Sequence, residues 1–283
     1  MVARPAILAI LTAAGSAAAD VVALGASADA FVAASNPASN YGGAGAIAAA
    51  SATLPNGEFQ GFIRFDTFAA KQAFDFSFGA NHWDIQSVTL QLSSTNAGNP
   101  LFNAAGAGRF TISWIANDSW IEGIGSPNEP GDTGVTFNDV PGLLALGEED
   151  LGTFDYDGIT GVTTVRTLTP SPSFLAELHA GSIVTLRLRA ASPDVALLVN
   201  SRSFHLPENQ PVFRIDAAAS TACYANCDNS TAQPVLNAND FQCFLNLFAQ
   251  ASSLANCDGS TQAPTLNAND FQCFLNAFAT GCN

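Results

Sequence analysis

The sequence predicts a mainly β protein: a β-sandwich followed by a small all-α module of two loop–helix repeats. Three observations carry this. Residues 20–217 hold short runs of alternating apolar and polar side chains separated by Gly, Pro, Asn and Asp, the pattern of half-buried strands between turns. Beyond residue 217 the composition changes, because all six cysteines follow residue 220 while Lys, Arg, Glu and His cease. Within that terminal segment residues 225–249 recur as 255–279, differing only at 229/259, 232/262, 233/263, 235/265 and 247/277. Such duplication marks a unit that buries its apolar face only against its copy.

Strand runs lie at 30–34, 61–66, 88–93, 109–115, 162–168, 183–190, 196–200 and 212–216. In the sixth, Val184, Leu186 and Leu188 share one side, as a period of two requires. A short helix is predicted at 173–179, after Pro170 and Pro172 and ending before Gly181, by the usual start and stop signals. Glu148, Glu149 and Asp150 read as a solvated loop. Trp83, Trp114 and Trp120 stand in β-patterned stretches, so core packing outweighs stacking on sugars. Tyr41, between Asn40 and Gly42, is the aromatic placed in an exposed loop.

The chain has 283 residues, 48% hydrophobic and 12% charged, with 24 acidic against 9 basic residues and a formal charge of −15. That balance excludes a basic nucleic-acid binder, which needs cations to neutralise phosphates. The 21 phenylalanines exclude a disordered acidic tail.

Residues 1–19 read as a secretory signal peptide. Arg4 supplies a positive start, residues 6–14 an apolar stretch, and Ser16 to Ala19 the small residues before a cut after Ala19, the order such leaders follow. A buried N-terminal helix is the competing reading. The apolar stretch is too short to span a bilayer, which takes about 20 residues. The expected mature chain is therefore secreted or cell-surface attached, with no transmembrane segment, in a setting that permits disulfides. The domain reading is 20–217 for the sandwich, 218–222 for a linker and 223–283 for the repeat pair.

Each repeat is a polar loop followed by an apolar-periodic stretch. Phe241, Phe244, Leu245 and Phe248, and likewise Phe271, Phe274, Leu275 and Phe278, fall at the spacing of one helical face. The charged residues of the module are Asp228, Asp240, Asp258 and Asp270, at equivalent places. An oxygen-rich loop running into a helix with a carboxylate in its first turn suits a hard cation, and oxygen ligands favour calcium over zinc or copper. Candidate ligands are Asn226, Asp228, Ser230, Asn237 and Asp240, and Asn256, Asp258, Ser260, Asn267 and Asp270, with a backbone carbonyl near Val235 or Thr265. Asn237 with Asp240, and Asn267 with Asp270, also read as helix caps with acidic partners; the two roles are compatible.

The duplicated loop–helix unit with its LNANDFQCFLN run resembles a GC-type dockerin over residues 223–283. The resemblance implies calcium-bearing repeats and attachment to a cohesin-like or envelope partner. Three extra residues sit mid-loop, at about 232–234 and 262–264, Asn226 and Asn256 stand first, and Ser230 and Ser260 fifth. Two carboxylates per loop imply two weak calcium sites, on the order of 10⁻⁴–10⁻³ M. By the repeat symmetry Cys227 pairs with Cys243 and Cys257 with Cys273, while Cys223 and Cys282 close the ends; six cysteines allow about 15 pairings in all.

The N-terminal region resembles the DNRLRE domain, which is similar to the family 96 carbohydrate-binding modules. The matching pieces are residues 28–32, Asn40-Tyr41-Gly42, residues 62–66 and 85–92, Asp118 to Gly123, residues 136–138, and Ser201-Arg202 before residues 211–215. The resemblance implies a jelly-roll-type sandwich and polysaccharide binding. No His-Glu-x-x-His and no mature Gly-x-Ser-x-Gly occurs, and His82, His179 and His205 are scattered, so no metalloprotease or serine-hydrolase motif is present. Asp29, Asp66, Asp118 and Glu122 stand at motif positions that turns and caps also explain. The expected function is non-catalytic binding of extracellular polysaccharide or surface ligands. The alternatives are a lyase or hydrolase tethered by the same tail, and a structural surface protein without a sugar ligand.

Overall fold

The computed structural model describes residues 19–78, 83–95, 107–220, 223–228, 230 and 234–281. Residues 1–18 of the predicted leader 1–19, His82, Cys282 and part of the extra loop residues lie outside these, while Ala19 opens the first strand. In chain order the strands are β1 (Ala19–Gly25), β2 (Ala28–Ala33), β3 (Ala46–Ala50), β4 (Phe59–Asp66), β5 (Trp83–Ser93), β6 (Gly108–Ile115), β7 (Glu148–Tyr156), β8 (Thr163–Leu168), β9 (Ile183–Ala190), β10 (Ala196–Asn200) and β11 (Val212–Ala219). The helices are α1 (Phe68–Phe78), α2 (Val140–Leu144), α3 (Pro172–Ala180), α4 (Ala238–Ala249) and α5 (Ala268–Thr280).

The strands form two antiparallel sheets. One runs β1-β11-β5-β8; the other runs β10-β3-β4-β9-β6-β7, with β2 also paired to β4. Ile63, Phe65, Phe110, Ile112 and Leu186 of the larger sheet and Val88, Leu90, Phe213 and Ile215 of the smaller belong to one buried core. Each large apolar side chain buried there is worth about 1.5–3 kcal/mol. Val184, Leu186 and Leu188 do share this face.

The larger sheet is buried on its other face too. Ala28, Ala30, Val32 and Phe62 pack under Trp120, Val135, Val140 and Leu143. Thr185 and Arg187, between the core residues of β9, are therefore buried as well. Trp120 Nε1 donates to Thr185 Oγ1 at 2.9 Å, and Arg187 donates to Gln60 Oε1 at 3.0 Å and Glu148 Oε1 at 2.7 Å, so both of these buried side chains have the partners that burial demands.

Several elements differ from the sequence reading. Glu148, Glu149 and Asp150 open β7 rather than a solvated loop, because Glu148 reaches Arg187 and Asp150 pairs with Arg189 at 3.0 Å. β1, β3 and α1 were not predicted. In α1, Asp66 Oδ1 caps Phe68 N at 3.0 Å and Ala70 and Phe74 face the core. Ala218 and Ala219 continue β11, paired with β1 and β5, so the proposed linker is shorter at its start. The helix predicted at 173–179 is α3, with Ser171 Oγ accepting from Phe174 N at 3.1 Å. Gly181 follows it at φ 71°, a left-handed turn that glycine adopts without a Cβ penalty.

In the terminal segment Phe244 and Phe274 are fully buried, surrounded by Phe241, Leu247, Phe248, Phe271 and Phe278. Leu245, assigned to the apolar face, is exposed, and Leu247 packs instead. Disulfides join Cys227 to Cys243 and Cys257 to Cys273. Closing a loop with a separation of 16 residues contributes about 3 kcal/mol, a large share for so small a core. Cys223 is also disulfide-bonded. Among the described residues no helix is long and apolar enough to cross a membrane.

Candidate functional site

The two terminal loops are built alike from the residues up. Asn237 caps α4, its Oδ1 accepting from Asn239 N at 2.8 Å, and Asp240 Oδ2 reaches back to Asn237 N at 2.8 Å. Asn267 and Asp270 repeat this on α5 at the same distances. The other oxygen of each buried aspartate turns into the loop: Asp240 Oδ1 accepts from Asp228 N and Asp270 Oδ1 from Asp258 N, both at 3.2 Å. Asp228 Oδ1 and Asp258 Oδ1 each accept from the serine N two residues on, at 2.9 Å. Asn226 Nδ2 donates to Ser230 O at 3.0 Å, and Asn256 Nδ2 to Ser260 O at 2.9 Å. These bonds link all five candidate residues of each loop into one cluster. Thr265 O lies in the second cluster, accepting from Ser260 Oγ at 3.1 Å.

The capping role is thus real, but it leaves two things over. The carboxyls of Asp228 and Asp240 lie within hydrogen-bonding reach of each other, as do those of Asp258 and Asp270. Two facing carboxylates repel unless a proton or a cation lies between them. Further, Asn226 Oδ1 and Asn256 Oδ1 are buried without a hydrogen-bond partner among the described residues. A buried orphan acceptor costs about 1–3 kcal/mol, and it recurs at both equivalent positions. Burial acts to raise Asp240, yet the Asn237 and Asp228 N–H donors hold it below the ordinary carboxylate range. Asp258 is likewise lowered, first by the Ser260 N–H. The donor set of carboxylate, amide, hydroxyl and carbonyl oxygen fits a hard cation. Among the described residues no group of three or more His, Cys, Asp or Glu converges; each loop has two carboxylates, and the rest of its oxygen is neutral.

Compared with protein-family models and with curated proteins, the chain matches none.

In the sandwich the motif pieces scattered along the sequence meet at one place. Glu122 takes Arg202 through two bonds, Nε to Oε1 at 2.8 Å and Nη2 to Oε2 at 2.5 Å. Asp29 N donates to Glu122 Oε1 at 3.1 Å, and Asp29 Oδ2 accepts from Arg202 N at 2.6 Å. Asn40, 0% exposed, donates to Glu122 O at 2.8 Å and Val135 O at 2.9 Å. Its Oδ1 accepts from Gly42 N at 3.1 Å and Gly125 N at 3.2 Å. The backbones lie so close that a Cβ on Gly42 would stand 1.9 Å from Glu122 O. Arg64 lies over the Trp120 ring at 5.0 Å and donates to Trp120 O at 2.9 Å.

Burial pushes Asp29 up to about 7; the Arg202 N–H pulls it down, and the Glu122 charge raises it. A carboxyl so placed beside a second one suggests acid–base work, but Asp29 is 1% exposed, out of reach of a substrate. Asp66 is the helix cap described above. The tryptophans are buried, at 2% for Trp83, 7% for Trp114 and 5% for Trp120, and offer no open platform. Tyr41, expected in an exposed loop, is buried and lies parallel to Phe31 with ring centroids 4.7 Å apart. His179 stacks on Trp83 at 4.2 Å, and burial lowers its pKa.

Sequence reasoning named the ten loop residues but not which of them would be left unsatisfied. The recurrence of Asn at 226 and 256 was the visible signal; the orphaned oxygen needed coordinates. Asp29, Glu122 and Arg202 each stand in a motif piece of the sequence, but their meeting in one clamp needed coordinates, since its partners are 93, 80 and 173 residues apart.

Proposed function

We infer that the protein is an exported, non-catalytic binding protein with two working parts. The sandwich, of jelly-roll type, holds an extracellular polysaccharide or surface ligand. The dockerin-like terminal repeat pair binds two calcium ions weakly and attaches the chain to a cohesin-like or envelope partner. The observation that carries the second part is the paired carboxyls beside an orphaned asparagine oxygen, repeated in both loops. Asn226, Asp228, Ser230 and Asp240, and their repeat mates, would hold the cation. When bound, it supplies the positive charge that the facing carboxylates lack. The disulfides support an exported setting. The burial of Asp29 supports binding over catalysis, as does the absence of a nucleophile–base motif.

Calorimetric titration of the full chain with calcium chloride, with melting curves in calcium and in chelator, tests the tail. The expected result is heat at millimolar calcium and a raised melting temperature that chelator reverses. No heat and no shift removes the metal from the proposal. A polysaccharide pull-down panel tests the sandwich. Release of reducing ends or unsaturated products from a retained polysaccharide would instead establish the tethered lyase or hydrolase.

A further inference from the structure

Phe31, Tyr41 and Phe59 gather with Leu198 in a small cluster separate from the main core. They line an open cavity of about 300 Å³, at the lower end of the range for ligand pockets. Phe31 and Tyr41 lie flat on each other, with planes 5° apart, and Phe59 tilts against Phe31 at 5.9 Å. The mouth carries two amides. Asn36 Nδ2 donates to the Tyr41 hydroxyl at 3.1 Å, which leaves the hydroxyl proton and Asn36 Oδ1 without a partner among the described residues. Asn56 makes no side-chain hydrogen bond to a described residue. Among the described residues no charged side chain lines the cavity, in a chain whose net charge is −15.

We propose that this cavity binds one ring of an uncharged sugar chain. The inference rests on the reading of the sandwich as a polysaccharide-binding domain and gives that reading its site and ligand class. Phe59, partly exposed where it lines the cavity, offers apolar ring surface to the C–H face of a pyranose, with the buried Phe31 and Tyr41 packed behind it, and amides with a phenol at the rim suit its hydroxyls, since an amide both donates and accepts. An anionic sugar would find no cation there to offset its desolvation. The contrast with a second cavity sharpens the choice. That one, of about 230 Å³, is lined by Asp155, Asp157 and Arg166, and its charges would have to be matched by any ligand.

The test is titration of the full chain with cellohexaose, mannohexaose and laminarihexaose, and with polygalacturonate as the acidic comparison, at low and high salt. Asn36→Ala and Asn56→Ala, at the cavity mouth, are compared with the parent chain; unchanged melting curves show that they fold. The expected result is binding of a neutral oligosaccharide with little salt dependence, weakened about tenfold in either variant. Neutral-sugar binding that both variants leave unchanged overturns the cavity while the polysaccharide reading stands. Binding of polygalacturonate alone, lost at high salt, overturns the ligand class while that reading stands. No binding to any of the four overturns both.

Discussion

Phe244 of α4 lies on Phe274 of α5 with ring centroids 4.3 Å apart and planes 12° from parallel. The two residues are equivalent in the duplicated sequence, so the contact sits at the centre of the pair of helices. Neither helix has another large buried side chain. Truncating Phe244 or Phe274 to Ala should each cost about 3–5 kcal/mol in the terminal module. The two losses should not add, because one contact is shared. Urea melts followed by limited proteolysis of the tail measure this; a loss below about 1 kcal/mol for either variant would mean the shared core is not what holds the repeats.

Asn226→Asp separates the metal reading from pure capping. The change removes the Nδ2 donor to Ser230 O and adds a third carboxylate beside Asp228 and Asp240. Without calcium the variant should be less stable by about 1–2 kcal/mol. With calcium it should recover and respond at lower concentration than the parent, since ligand charge tightens such sites. Melting temperatures across a calcium series read both effects. A variant destabilised equally with and without calcium would leave the loops as caps alone.

The clamp around Asp29 makes a pH prediction. Its pKa is about 7 in the fold against an ordinary 3.8. A raised carboxyl holds its proton longer in the folded than in the unfolded chain, so stability falls as pH rises from about 4 to about 7 and is level above that. The full effect is on the order of 4 kcal/mol. Asn can keep the bond from Arg202 N without the charge. Asp29→Asn should therefore raise the melting temperature at pH 8 and leave it nearly unchanged at pH 4. Equal effects at both would show that Asp29 is ionised throughout.

Asn40 uses its whole amide in bonds to backbone groups of Glu122, Val135, Gly42 and Gly125. Asn40→Ala strands two carbonyls and two N–H groups and should cost at least about 3 kcal/mol. Asn40→Asp keeps the acceptor side but aims a buried charge at two carbonyls, and should cost more. Gly42→Ala should cost about 1–3 kcal/mol or more, as its Cβ would collide with the Glu122 carbonyl. Chemical denaturation ranks the three; an Asn40→Asp chain as stable as the parent would mean the loop can rearrange around it.

The strands that were legible in the sequence are those whose alternation has contrast. β9 reads clearly because Val184, Leu186 and Leu188 stand between Thr and Arg. β3 does not, because its residues are nearly all alanine and buried on both faces, so no period shows. β7 was hidden by its acids, whose partners Arg187 and Arg189 lie across β6 and are invisible to local pattern. Helices α4 and α5 and their caps were readable from spacing and from Asn-x-x-Asp. Tyr41 was misplaced because turn residues around it signal a loop, while its burial comes from Phe31 on a strand with a different neighbour set.

Ala19 pairs with Ala218 at the open end of the ladder between β1 and β11, and β11 is also bonded along its length to β5. The segment leading to the repeats thus leaves from an inner strand rather than an edge one. A mechanical pull arriving through Ser220 would meet two hydrogen-bonded neighbours at once, so the sandwich is fastened to its tail at one of the strands hardest to peel away.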